Sequence, residues 1–398
     1  MATAVRRASR WLAATTGVAA LLVLSGCADD APLDTLEPKG PAAREIDSLV
    51  NIVFSIAGIV FVFVTVGVLI VALRFRRKGD DDFPVQVHGN TKLELGWTIL
   101  PAVVLAGVAV FTVATIFNLA DTPDDAELEV RVVGQQWWWS FEYDLDGDGD
   151  FGDIVTANEM VVPAGQPISL TIASNDVIHS FWIPSLNGKK DAVPGREHPL
   201  WIEADEPGRY LGQCTEFCGL SHANMRMVVE AVSDGDFETW VAAQQEPAAI
   251  PEDDAAAMRG LETFVSQCVT CHQVQGVNSP DCVPLEEGET YVPGETCWEG
   301  AQPFDGAAQV SGNAPELTHL MSRCTFAGSI FDLYVDERCG DPDAVNRAQL
   351  EAWIRNPPAE KAMAPDPNQY TTVGRGMPQL PLSEEQIDDL VAYLTTLD

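Results

Sequence analysis

Two short stretches concentrate side chains that can do metal or redox chemistry. In Gly212-Gln-Cys214-Thr-Glu216-Phe-Cys218-Gly-Leu-Ser-His222-Ala-Asn-Met225, two thiols, an imidazole and a thioether share one loop. Such a soft ligand set suits copper better than magnesium or calcium. His179, in Asp176-Val-Ile-His179-Ser-Phe, follows the apolar stretch 168–173 and can reach the same end of a small β-domain. Two Cys and two His equally describe structural zinc, and a Cys214–Cys218 disulfide is a third option, so spacing alone leaves all three open.

The second stretch is Cys268-Val-Thr-Cys271-His272, placed at the end of a short amphipathic helix. C-x-x-C-H is a c-type haem attachment pattern: Cys268 and Cys271 form thioethers and His272 is the proximal iron ligand. A redox dithiol or half a zinc site leaves the adjacent His without a role. The distal ligand is expected to be Met377, in Gly374-Arg-Gly376-Met377-Pro378 ahead of an amphipathic helix over 383–397, with Met321 and Met363 as competitors. His319 is expected to be structural.

The chain of 398 residues is too long for one ordinary domain. A net charge of −36 argues against a nucleic-acid binder, and 46% hydrophobic residues exclude disorder. Mean hydropathy near zero at such acidity means that very apolar and very polar segments are segregated. Arg6, Arg7 and Arg10 precede an uncharged run, which predicts a secretory signal over 1–26. Its end, Leu24-Ser25-Gly26-Cys27, resembles a bacterial lipobox, so cleavage before Cys27 and a lipid on its thiol are expected, with an extracytoplasmic N-terminal segment over 27–47.

Two uncharged runs, 48–73 and 95–120, are each long enough to span a bilayer. Arg74, Arg76, Arg77 and Lys78 lie in the 74–94 connection. The positive-inside bias places that loop in the cytoplasm and everything after residue 120 outside the bacterial cytoplasmic membrane.

Beyond the spans, period-two alternation at Leu128, Val130 and Val132 and at Ile168, Leu170 and Ile172 predicts a β-barrel or sandwich over 121–241. Three consecutive tryptophans, Trp137 to Trp139, cannot all face inward on a strand, so at least one is exposed or covered by a partner. Asp144 to Asp153 places carboxylates at alternate positions like a calcium loop, but a solvated hairpin turn explains it equally well. A Pro-, Ala- and acid-rich linker over 242–257 leads to a helical domain, 258–398. From Pro251 onward there are 25 acidic and 7 basic residues. General solubility or attraction to a basic partner accounts for this.

These motifs, in order, resemble cytochrome c oxidase subunit II with a fused C-terminal cytochrome c. Glu94-x-x-Trp97-Thr98-x-x-Pro101 is similar to the family's second membrane helix and implies that Glu94 lies at the entrance of a proton path. H…C-x-E-x-C-x-x-x-H-x-x-M is similar to its binuclear copper A centre on a cupredoxin fold. The resemblance implies that Cys214 and Cys218 bridge two coppers, His179 and His222 bind one each, Met225 binds weakly and Glu216 offers its carbonyl. The Glu216 side chain would face a magnesium ion at the catalytic-subunit interface. Trp137 would be the point of electron entry, with packing against the catalytic subunit as the alternative, and residues 190–196 resemble a docking segment.

The expected architecture is therefore multidomain: a two-helix transmembrane hairpin, a cupredoxin-like β-barrel or sandwich, and an all-α class I cytochrome c domain. Once lipid, copper and haem sites are assigned, four cysteines remain: Cys282, Cys297, Cys324 and Cys339. Three pairings exist. Cys282 with Cys297 and Cys324 with Cys339 is favoured because each closes one short irregular segment. The resemblance implies an electron-transfer subunit of a proton-translocating oxidase, working with catalytic subunit I and other subunits. Its donor would be a cytochrome c or a quinol-cytochrome c reductase. A copper-A-bearing subunit of a nitric oxide reductase is the alternative, and a lipid-anchored copper carrier ranks behind both.

Overall fold

The computed structural model describes residues 31–76, 88–285, 289–304, 314–336, 338–363 and 376–398. The signal segment, Cys27, Arg77 and Lys78 lie outside these residues.

Two apolar helices, α1 (Pro41–Arg74) and α2 (Thr91–Ala120), are long and apolar enough to cross a membrane. Both start before the expected bounds of 48 and 95. Pro41 suits the first turn of α1 because its missing N–H is unpaired there anyway. That early turn is useful to the fold, because it buries Ala42 and Ala43 and lets Arg44 pair with Asp205 of the β-domain. Asn90 caps α2 by accepting from the backbone N–H groups of Lys92 and Leu93, which draws Glu94 into the helix's first turn rather than the preceding loop. Asn118 near the end of α2 donates to Glu45 near the start of α1, so these helix ends meet beside the β-domain and Arg74 closes the opposite end of α1.

Ten strands follow: β1 (Leu128–Gln135), β2 (Trp138–Asp144), β3 (Ile154–Ala157), β4 (Glu159–Pro163), β5 (Ile168–Ser174), β6 (His179–Phe181), β7 (Lys190–Ala192), β8 (His198–Ile202), β9 (Gly208–Gln213) and β10 (Arg226–Val232). One sheet has the order β3-β2-β1-β5-β8 and another β4-β10-β9, with β1 parallel to β5 and β10 parallel to β4. Val130, Phe141 and Leu170 from the first sheet share one core with Met160, Met227 and Val229 from the second. This is a cupredoxin-like sandwich. A closed barrel, held open by the sequence as an alternative, does not form among the described residues.

Ser233 caps α3 (Asp234–Gln244), so the first residues of the expected linker are helical, and buried Gln244 donates to Ser322 of the next domain. Asp254 caps α4 (Ala255–Gln267). After it come a short hairpin of β11 (Thr325–Phe326) and β12 (Phe331–Asp332), then α5 (Arg347–Arg355), α6 (Pro357–Glu360) and α7 (Glu384–Leu394). The hairpin makes this domain mainly helical rather than all-α. The first helix, α4, crosses α7 where Gly260 leaves room: a Cβ there would stand 2.0 Å from the Asp389 carbonyl oxygen. Ser383 and Gln386 form a reciprocal cap that starts α7.

Candidate metal centre

The copper-type ligand residues gather at one end of the sandwich. His179 opens β6, and Cys214 directly follows β9. Gly134 of β1 makes room for the imidazole, since a Cβ there would sit 2.9 Å from the His179 ring. Cys214 Sγ lies 3.8 Å from Cys218 Sγ, 3.9 Å from His179 Nδ1 and 3.2 Å from the Glu216 carbonyl oxygen. On the other side Cys218 Sγ is 3.6 Å from His222 Nδ1 and 3.7 Å from Met225 Sδ. Six groups named from the sequence thus converge, with Cys214, Cys218, His179 and Met225 buried.

Asp176, not singled out as functional from sequence, holds His179 Nε2 at 2.8 Å and leaves Nδ1 turned to the thiols. An outer carboxylate of this kind fixes ring orientation for a metal. Cys214 is drawn down to about 4, chiefly by the hydrogen bond it shares with Cys218, while Cys218 is pushed up by that same bond and by burial. Ionising one of two adjacent buried thiols opposes ionisation of the other, and a positive charge between them would allow both to ionise. The donor set therefore fits a soft cation.

An apolar cavity of the C-terminal domain, closed on one side by Trp137 and Trp138 of the sandwich, is lined by Cys268, Cys271, His272 and Met377 together with Phe264 and Leu390. His272 Nδ1 is 2.8 Å from the Pro315 carbonyl, which leaves Nε2 for a ligand. Burial lowers the His272 pKa and keeps the ring neutral, as ligation requires. Arg323 also lines the cavity, and its buried Nε has no partner among the described residues. An apolar macrocycle bearing carboxylates fits this chamber. Met363 lines it too and accepts the Met377 backbone N–H at Sδ, 3.2 Å away, whereas buried Met321 sits in the helical core outside the lining. His319 likewise lies outside it, bonded to the Asp398 carbonyl.

Trp137 and Trp139 are buried and Trp138 is half-buried. The Trp137 indole belongs to the sandwich core, and its backbone carbonyl accepts from Lys361 of the C-terminal domain. Asp144, Asp146 and Asp153 gather in the β2–β3 turn, where Asp144 accepts from the N–H groups of Gly147 and Gly149 and Asp153 from that of Leu145. Cys282 is bonded to Cys297 and Cys324 to Cys339.

The family model for the cytochrome c oxidase subunit II transmembrane domain matches residues 36–115, and that for its periplasmic domain matches residues 128–232. A cytochrome c oxidase subunit 2 from Alkalihalophilus pseudofirmus is 32% identical over 384 residues, covering 94% of this chain and 94% of the relative. The chain belongs to the cytochrome c oxidase subunit II family. Within that family it is also 35% identical over 239 residues to a quinol oxidase subunit 2 from Bacillus spizizenii, a match covering 57% of this chain and 70% of the relative. The solved periplasmic domain of subunit II of the Bradyrhizobium japonicum cytochrome oxidase is 33% identical, covers 31% of this chain and 97% of that chain, and superposes with a TM-score of 0.29. Subunit II membership places the chain in a respiratory oxidase, with an electron-transfer role.

Proposed function

We propose that this chain is the electron-input subunit of an aerobic respiratory cytochrome c oxidase, with binuclear copper A on the β-sandwich and covalent haem c on the C-terminal domain. The carrying observation is that the Cys214/Cys218 cluster and the cavity edged by Cys268, Cys271 and His272 lie on either side of the Trp137–Trp138 segment. When bound, the two groups supply one-electron carriers between an external donor, such as a cytochrome c, and the catalytic subunit that reduces oxygen.

The protein's own part is to hold, orient and shield. Cys214, Cys218, His179, His222, Met225 and the Glu216 carbonyl form the copper cradle. Asp176 sets the His179 ring. His272, oriented by Pro315, and Met377 would hold the iron of a haem, Cys268 and Cys271 would attach it, and Arg323 would offer a buried donor to a carboxylate. The exposed Glu216 carboxylate is free to meet a magnesium ion against the catalytic subunit. Cys27 carries the lipid, Glu94 lies at the proton-path entrance, and both redox domains face the outside of the bacterial cytoplasmic membrane.

Metal analysis, electron paramagnetic resonance and haem mass determination on the purified full-length complex test this. The expected result is two coppers sharing one unpaired electron, one covalent low-spin haem and a copurifying oxygen-reducing subunit. Zinc or a single copper overturns the copper A assignment, and a non-covalent or absent haem overturns the C-terminal one. A copurifying nitric oxide reductase subunit, or electron uptake from quinol alone, moves the chain to another branch of chemistry.

A further inference from the structure

The segment Lys361–Met363 of the C-terminal domain lies directly on the metal loop of the sandwich. Lys361 is 4% exposed, and among the described residues its ammonium finds no carboxylate: Nζ donates to the carbonyls of Trp137, at 2.6 Å, and Ala327, at 2.7 Å. Burying an ammonium costs free energy that two neutral acceptors offset only in part. Burial accordingly lowers its pKa to about 7. A lysine in such a place is costly as packing alone and useful as a clasp between domains.

The neighbouring contacts run the same way. Ser221, next to His222, donates to the Ala362 carbonyl. Met363 packs on the sandwich core. Gly328 brings its carbonyl to the Arg226 N–H at 3.0 Å, and the Cys324 N–H reaches buried Glu159 at 3.0 Å. Gly328 is at φ +84, and a Cβ on it would stand 2.5 Å from Lys361 Nζ and 3.1 Å from the Trp137 carbonyl oxygen. One side of Trp137 is thus held by Lys361. The other side, through Nε1, is bonded to the Cys218 carbonyl at 3.0 Å.

We propose that Lys361 is a positioning residue, a latch that fixes the haem-bearing domain on Trp137 and thereby sets electron passage to the copper loop. This rests on the two-carrier reading above. One electron leaves ferrous haem, which becomes ferric, and reduces the oxidised copper pair. The external donor restores the former, and the catalytic subunit reoxidises the latter. Lys361 lines the edge of the haem cavity, hydrogen-bonds none of the named ligands among the described residues, and acts through the Trp137 carbonyl.

The test compares the wild-type full-length complex with Lys361→Met, which keeps an apolar stem and removes the donors. Gly328→Ala approaches the latch from the opposite side and leaves Lys361 in place. The amides of Arg226 and Cys324 report the seam by hydrogen exchange, because both donate across it, and haem-to-copper transfer after photoreduction reports the relay. Exchange at both amides is expected to rise about tenfold in either variant. Transfer is expected to slow by about tenfold or more, with haem content, copper content and their spectra unchanged. Wild-type exchange in both variants overturns the latch. Faster exchange with an unaltered transfer rate overturns its role in electron passage. A wild-type complex lacking haem or copper sinks the two-carrier reading instead, while the exchange measurement still judges the latch.

Discussion

Trp137 Nε1 donates a 3.0 Å hydrogen bond to the carbonyl of Cys218, tying an indole of the sandwich core to the backbone of a thiol in the metal loop. The Gln136 side chain donates to the same carbonyl at 2.6 Å. Removing the indole donor therefore leaves Cys218 still held. Trp137→Phe is expected to keep its copper and haem and to slow electron exchange between them by about tenfold. Photoreduction of the haem with optical detection of the copper band measures it, and a wild-type rate would remove Trp137 from the path.

The Asp176 contact to His179 restrains a ring whose other nitrogen faces Cys214. Asp176→Ala is expected to weaken copper binding by about 10–100-fold without unfolding the sandwich. A chelator competition titration reads the affinity. Unchanged affinity would mean that the ring is oriented by packing against Trp139, 5.8 Å away between centroids.

Met377 and Met363 both line the C-terminal cavity, and only separate substitution distinguishes them. Met377→Ala is expected to abolish the weak absorption of a thioether–iron bond and leave the haem covalently attached by mass. Met363→Ala is expected to preserve that band. The opposite pattern would transfer the axial role to Met363.

Each disulfide joins cysteines 15 residues apart. Loops of that length are stabilised by about 3 kcal/mol through restriction of the unfolded chain. Replacing Cys324 and Cys339 by Ser together is expected to cost about that much in chemical denaturation of the C-terminal domain. The same pair replacement is also expected to loosen the seam with Glu159, since the Cys324 N–H donates to it.

Burial raises the Glu316 carboxyl to about 7, against the opposing pull of Arg323. The folded state then holds a proton that the unfolded state has released between its ordinary pKa and 7. Stability is fully present below that ordinary value and falls as pH rises through about 7. Thermal unfolding of Glu316→Gln across this window is expected to be flatter than wild type. An equal slope in both proteins would mean that Glu316 is ionised in the fold.

Local pattern carried much of this protein's organisation. The apolar runs, the C-x-x-C-H pentad and the spacing of Cys214, Cys218, His222 and Met225 are short-range features, so the chain order of hairpin, sandwich and helical domain was legible without coordinates. Cys282 with Cys297 and Cys324 with Cys339 were likewise reachable, because each pair closes a short segment. Helix starts were less so, since docking of Ala42, Ala43 and Arg44 on the β-domain extended α1 beyond its apolar run.

Sequence by itself thus determined which chemistry each segment can host, because ligand types and their spacing within a turn or a loop are local. Only the tertiary structure decided how the segments meet: Asp176 behind His179, Pro315 behind His272, and Lys361 on Trp137 across 224 positions of chain. Backbone carbonyls accept two of these contacts, and every residue but proline carries the same donor and acceptor pair. Residue identity therefore gives no hint of which carbonyl is used, and only the packing of the two domains brings Lys361 to that of Trp137.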